Sequence, residues 1–368
     1  MFLLDRRYFR YFDWVSFFLV IILTSIGLFF VFSATYRPEQ PFSLFFKKQT
    51  FGIISGFIIY FLCSATDFRV LMRWGYFAYF AIVALLFFTV IKGSFGMGAQ
   101  RWVDLGFFRI QPSELAKLLF PSYAAYYFYT EKDSLTFSFS QFLPVLTMLL
   151  ISFILIRKQP DLGTALVLLF SGLTIIWFAG MHKHFFIMTG LFVLITAPLT
   201  WHLLKDYQKQ RVLVFVGQGH SKKERYQIEQ SQIAIGSGGF FGKGLLKGTQ
   251  NKLQFLPESR TDFIFSVIAE ETGFAGAFFI LLLFAILFFQ LFWIICSIKS
   301  AFVQLLALGL ILPIVISTLI NIAMATGLMP IVGIPLPFIS YGLSNLWVNF
   351  ASLGWFNAIA IRRYYWGE

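Results

Sequence analysis

The chain has 368 residues, 58% of them hydrophobic and only 12% charged, and 50 Phe lift its aromatic share to 20%. Soluble domains run at about 45–50% apolar and about 25% charged residues, so this composition excludes a soluble globular enzyme, a disordered chain and a fibrous repeat, and leaves a polytopic membrane protein. The formal net charge is nevertheless +12, from 29 Lys+Arg against 17 Asp+Glu, and those cations must sit somewhere.

The chain opens on a basic, aromatic segment, MFLLDRRYFRYFDW, and no small-residue cleavage pattern follows the first apolar run. That run reads as a retained first span, not a signal peptide. Apolar stretches predict spans near 14–34, 49–65, 74–91, 114–130, 142–156, 162–180, 185–204, 274–298, 303–326 and 339–361. The expected fold is all-α, a single integral membrane domain over 1–368 with about ten transmembrane helices. Its one large loop, 205–262, joins spans seven and eight. Ten spans put both termini on one side, and Arg6, Arg7, Arg10, Arg69, Arg73, Arg362 and Arg363 make that side cytoplasmic. The short loops opposite carry nearly as many cations: Arg37, Lys47, Lys48, Lys92, Arg101, Arg109, Arg157 and Lys158. An anionic substrate on the extracytoplasmic face is one reason for them to gather there. Cys63 and Cys296 lie in apolar runs as small hydrophobes, and the four His have no metal-ligand spacing.

Charged groups near membrane depth normally face an internal cavity and carry function. Four segments qualify. In Gln111-Pro112-Ser113-Glu114-Leu115-Ala116-Lys117, Ser113 is the expected N-cap, and Glu114 and Lys117 share a helix face on which they can pair. In Gln159-Pro160-Asp161, the aspartate either caps span six or lines a cavity. In Arg260-Thr261-Asp262, the aspartate either caps a helix or, beside Arg260 and a basic loop, stays ionised to accept a proton next to a bound anion. The stretch 327–342, GLMPIVGIPLPFISYG, is irregular backbone that must be satisfied by protein or water. The run IGSGGFFGKG at 235–244 lacks the GxxxxGK[ST] spacing of a nucleotide loop, which leaves a looser diphosphate contact through Lys243 and Lys247.

Five segments carry a resemblance: GMGAQRWVDLGFFRIQPSELAK (96–117), RKQPDLGTAL (157–166), SQIAIGSGGFFGKGLLKGTQ (231–250), LQFLPESRTDFIFSVIAEETGFAG (253–276) and GLMPIVGIPLPFISYG (327–342). In order and loop length they closely resemble the SEDS family of bacterial shape, elongation, division and sporulation proteins. The KGTQ element before LPE is similar to the elongation branch more than to the division branch. The resemblance implies a ten-span glycosyltransferase of the bacterial cytoplasmic (inner) membrane. Such an enzyme polymerises lipid II, an undecaprenyl-diphosphate-linked disaccharide peptide, on the outer membrane face. It works with the elongation machinery and a class B penicillin-binding protein as transpeptidase partner. The resemblance places the essential carboxylate on Asp262, the intramembrane pair on Glu114 and Lys117, and further cavity positions on Arg101 and Asp161. Two positions depart from the family pattern. Arg260 stands where the family usually has His, and Ser340-Tyr341-Gly342-Leu343-Ser344-Asn345 stands where it usually reads SYGGSS.

Lipid II calls for an apolar groove, cations and a base in one place. The Phe-rich spans supply the first, and Arg101, Lys117, Lys243, Lys247 and Arg260 are candidate diphosphate contacts, each charge-assisted bond contributing about 1.5–3 kcal/mol in a sheltered site. The sequence singles out no certain cofactor. A divalent cation bridging diphosphate and Asp262 is chemically reasonable, although no ligand cluster demands one. Membrane lipid is the surrounding partner, and nothing suggests nucleic acid. Two other classes share these features, a lipid II flippase and a non-catalytic scaffold for a transpeptidase.

Overall fold

The protein is described by a computed structural model over residues 6–96, 99–104, 109–131, 138–202, 206–218, 222–252 and 255–363. In chain order the helices are α1 (Arg6–Tyr11), α2 (Trp14–Thr35), α3 (Leu44–Ala65), α4 (Phe68–Lys92), α5 (Pro112–Thr130), α6 (Phe139–Lys158), α7 (Leu162–Phe178), α8 (Lys183–His202), α9 (Asp206–Phe215), α10 (Lys222–Ser237), α11 (Thr249–Lys252), α12 (Ile264–Cys296), α13 (Ala301–Ala325) and α14 (Leu343–Arg362). Each predicted span corresponds to one of them. Among the described residues six (α2, α3, α4, α6, α12 and α13) are long and apolar enough to cross a membrane on their own. The protein is a multi-pass membrane protein of helical fold.

Side chains at the helix entrances set several boundaries. The carboxylate of Asp13 accepts from the Ser16 amide at 3.3 Å at the start of α2, and Ser43 does the same for Phe46 at 3.2 Å in α3. Asp67 accepts from the Arg69 amide at 2.9 Å at the start of α4. Each satisfies an amide that the first helical turn leaves open. α13 is the most deeply enclosed of the candidate spans, with 78% of its apolar window buried, and it packs against α5, α7 and α14. Facing it, the α3–α14 and α4–α5 pairs are the most intimate contacts in the bundle.

Two features differ from the sequence reading. First, α12 begins at Ile264, ten residues before the predicted eighth span, and is broken at Gly273, whose φ of 69° and ψ of −165° suit only glycine. The amides of Phe274 and Ala275 turn instead to the carbonyls of Gly239 and Phe240 at 2.9 and 3.1 Å. The carbonyls of Glu270 and Glu271 accept from the amides of Lys243 and Gly244, both at 3.0 Å. The Gly-rich run thus splices the helix break, which is why it must come so close. Secondly, residues between α4 and α5 form a small antiparallel sheet, β1 (Ser94–Gly96), β2 (Ala99–Asp104) and β3 (Arg109–Ile110), in the order β1-β2-β3. The long connection also holds the helices α9, α10 and α11.

One end of the bundle carries the entrance of α2 and the close of α14, and the other carries the polar motifs. At the terminal end the Asp13 amide donates to Asn357 Oδ1 at 3.0 Å, and Arg362 donates to the Ala65 carbonyl at 3.1 Å. At the motif end Ser33 donates to Glu271 at 2.5 Å and Ser340 to the Thr261 carbonyl at 2.5 Å.

Candidate active site at the motif end

Asp262 stands in the turn that leads into α12. It does not cap that helix: the N-cap position is Phe263, with no side-chain cap hydrogen bond. Burial first, and then the nearby Glu258 carboxylate, push the Asp262 carboxyl up to about 6, against the pull of Arg101, Arg211 and the Thr261 hydroxyl. A carboxylate poised there is largely ionised at neutral pH yet basic enough to take a proton.

Arg101 comes from the sheet. The register pairs Ser94 with Trp102 and Phe95 with Gln100, so Arg101 falls at an irregularity between them. Bulges of this kind re-aim a side chain; here the guanidinium stands 3.6 Å from Asp161 Oδ1. Asp161 is buried, caps α7 by accepting from the Thr164 amide at 3.3 Å, and accepts from Gln111 Nε2 at 2.6 Å. Asp161 therefore caps α7 while its carboxylate also takes Gln111 and Arg101 as partners.

Ser113 is not the N-cap of α5, contrary to expectation. That position belongs to Gln111, because Pro112 opens the helix at its first residue, where a missing N–H costs nothing. The Ser113 hydroxyl turns to Asp161 Oδ2 at 3.5 Å instead. One turn on, Lys117 Nζ lies 2.9 Å from Glu114, both side chains being about 95% enclosed. Asn345 Nδ2 also donates to Glu114 Oε2 at 3.0 Å. The position that departs from the family's SYGGSS pattern thus completes the pair's hydrogen bonding.

Arg260 lies over the Phe45 ring at 4.1 Å, and Phe45 meets Tyr341 edge-on at 5.3 Å. Its guanidinium keeps only a long 4.0 Å contact with Glu258. Lys243 and Lys247 lie elsewhere. Lys243 Nζ is committed to Glu270 at 2.6 Å and Thr249 at 2.8 Å, while Lys247 is exposed on the clasp. Arg101 and Arg211 act on the Asp262 carboxylate, while Arg260 stands two residues before it with its guanidinium over Phe45; Asp161 joins this group through Arg101 and bonds Gln111, whose carbonyl accepts the Glu114 amide at 3.0 Å.

Below this polar cluster a cavity of about 220 Å³ runs between α3, α5 and α14. Gln111, Glu114 and Ser344 close its polar end, and Ile59, Leu118 and Trp347 are among the apolar side chains along it.

A family model for the FtsW, RodA and SpoVE cell cycle proteins matches residues 13–365. The chain belongs to this family. A peptidoglycan glycosyltransferase MrdB from Escherichia coli strain K12 is 37% identical over 310 residues, 84% of this chain and 83% of that protein. An MrdB from Helicobacter pylori strain ATCC 700392 / 26695 is 36% identical over 374 residues, 99% of this chain and 94% of that one. The rod shape determining protein RodA of Thermus thermophilus superposes with a TM-score of 0.71 at 28% identity, covering 96% of this chain and 98% of that chain. A chain from a peptidoglycan synthase complex that coordinates polymerization and crosslinking superposes with a TM-score of 0.82 at 29% identity, again over 96% and 98%.

The sequence reading named Gln111 and Asn345 only as members of their motifs, without a role, and passed over Asn321 and Arg211. Asn321 sits at 0% exposure in α13. An amide at membrane depth was itself a signal, since a polar group there needs partners, but a neutral side chain is easily lost in an apolar run.

Proposed function

We propose that this chain is a peptidoglycan glycosyltransferase that polymerises lipid II at the motif end of the bundle, with Asp262 as general base. The observation that carries the reading is Asp262, which caps no helix, is raised to about 6 and feels Arg101 and Arg211, in a chain whose relatives are named peptidoglycan glycosyltransferases. The 4-hydroxyl of the acceptor GlcNAc attacks the anomeric carbon of the donor. Asp262 takes the hydroxyl proton, the new glycosidic bond forms, and undecaprenyl diphosphate leaves with the bonding pair. A single base fits an inverting displacement; a retaining one would need a second, nucleophilic carboxylate.

Arg101 and Arg260 are the cations best placed for the diphosphate, because neither is tied to a short ion pair. Lys117 is neutralised by Glu114 and organises the cavity, and Lys243 organises the clasp. The apolar cavity along α3, α5 and α14 suits a polyprenyl chain. Among the described residues no three His, Cys, Asp or Glu side chains gather as a cation cage. A divalent cation at Asp262 would draw its remaining ligands from diphosphate and water. The arginine bias of the terminal end supports a cytoplasmic position for that end and an extracytoplasmic one, at the outer face of the bacterial inner membrane, for the motif end. A class B penicillin-binding protein of the elongation machinery is the fitting transpeptidase partner, given the synthase complex whose chain this one matches.

A flippase would need charge along the whole transmembrane path, whereas Glu114, Asp161, Asp262, Arg101 and Arg260 all lie at the motif end. A scaffold would use Asp262 as a cap, a role it does not have. Purified protein incubated with lipid II, with and without Asp262→Asn, tests the reading by glycan chain length. Strands from the native protein and none from the variant support it; strands of equal length from both would overturn it.

A further inference from the structure

The backbone of the Asp262 turn is held from outside its own helix. Three successive carbonyls each accept a hydrogen bond from a distant segment. Tyr341 N donates to Arg260 O at 2.9 Å, Ser340 Oγ to Thr261 O at 2.5 Å, and Asn321 Nδ2 to Asp262 O at 2.9 Å. Asn321 spends its other amide hydrogen on Ile334 O at 2.7 Å, tying the Asp262 turn to the 327–342 stretch. Ser340 is fixed in turn by Leu336 N at 2.8 Å. Both segments carry backbone strain. Glu258, before the turn, has a φ of 51°, and Phe338, between Leu336 and Ser340, has a φ of 65°. Non-glycine residues held in this region cost roughly 1–3 kcal/mol each and persist only where their surroundings over-determine them. At Gly333 the chain lies so close that an added Cβ would be 3.6 Å from Asp262 Oδ2.

We infer that Asn321 is a positioning residue for the glycosyl transfer, holding the Asp262 carboxylate at the reacting hydroxyl through the carbonyl behind it, with Ser340 as its neighbour in the same clamp. The inference rests on the reading of Asp262 as the base. An N-cap side chain satisfies only amides, so the turn's carbonyls need donors from elsewhere in any case. For residue 262 that donor is the side-chain amide of Asn321 in α13. Geometry is then the quantity at stake, since about 1 Å of misplacement costs on the order of 10² in rate.

The test is polymerisation of lipid II by the purified full-length chain with Asn321→Leu, matched by Asn357→Leu at the terminal end. Asn357 is equally buried and accepts the Asp13 amide at 3.0 Å. Asn321→Leu is expected to lower kcat by about 10–100-fold with KM within about threefold, and to shift the acid limb of the kcat–pH profile. Asn357→Leu should lower the melting temperature with kcat within about threefold. A kcat for Asn321→Leu no lower than that of Asn357→Leu, or a loss confined to KM, overturns the inference. If the Asn321 variant does not fold, Ser340→Ala carries the same expectation at about 3–10-fold, and a native kcat there overturns it. Should Asp262→Asn polymerise at the native rate, the base assignment fails instead, and that outcome is distinct.

Discussion

The two ends of the bundle each hold an aspartate at a helix entrance, and they use it in opposite ways. At the terminal end Asp13 is 7% exposed, caps α2 through the Ser16 amide, and accepts from Gln290 Nε2 at 3.0 Å. Its Oδ1 takes both bonds and ties α2 to α12, while its Oδ2 is buried without a hydrogen-bond partner. At the motif end Asp262 caps nothing, its backbone is clamped by α13 and the 336–341 turn, and burial raises its proton affinity. A buried carboxylate is therefore not a functional marker by itself. What separates the two is whether the local hydrogen bonds consume the side chain or consume the backbone and leave the side chain available.

The contrast is most sharply broken by the same substitution at both ends. Asp262→Asn should reduce lipid II polymerisation by about 10²–10⁴-fold, the usual contribution of a general base, with little loss of thermal stability. Asp13→Asn should leave the rate within about threefold, because asparagine also caps well. Equal effects at the two sites would erase the distinction.

Next in size is the Glu114–Lys117 pair. Glu114→Ala leaves Lys117 buried and uncompensated, a change that typically costs about 3–5 kcal/mol, and a scanning melt should register it as a large drop. The exchanged pair Glu114→Lys with Lys117→Glu should recover part of the stability if pairing is what matters. No recovery would point to direct contact with substrate.

The pH profile is a subtler probe. With the Asp262 carboxyl raised to about 6, the base is protonated and idle below that pH and ionised above it. The value of kcat should climb as pH rises through about 6 and then level, and this acid limb should move in Asn321→Leu. A profile flat from pH 5 to pH 8 would contradict the assignment of Asp262.

The smallest effects divide the two clasp lysines. Lys243→Ala deprives Glu270 of its ion partner but leaves it the amides of Thr249 and Gln250 at 2.8 and 3.1 Å. A cost of about 1–3 kcal/mol in stability is expected. Lys247→Ala should leave the melting temperature unchanged and alter KM for lipid II at most a few-fold.

The fold was read from the sequence span by span because hydropathy is a local property. The entrance of α12 was not. Its first limb contains Glu270 and Glu271, and a window of sequence sees two charges without seeing Lys243, Ser33 and the Leu246 amide that satisfy them. The sheet that aims Arg101 escaped for a different reason: its strands are only 3, 6 and 2 residues long, too short for period-two alternation to register. At the site, the Glu114–Lys117 pairing followed from helical spacing alone, since both partners lie on one helix. The partnership of Asn321 with the Asp262 carbonyl joins residues 59 apart in sequence, and that of Asn345 with Glu114 joins residues 231 apart. No local pattern encodes either.

Composition and motif spacing alone determined that this is a basic, many-spanned membrane protein with its chemistry-bearing residues in five separated segments. Only the tertiary structure decided which carboxylate is spent on structure and which stays available. Availability depends on where every neighbouring donor points, and in a membrane bundle those donors arrive from helices far apart in the chain. Asp13 and Asp262 look alike in sequence, each a lone aspartate ahead of an apolar run. They differ because Ser16 and Gln290 reach one carboxylate, while Asn321 reaches past the other to its backbone.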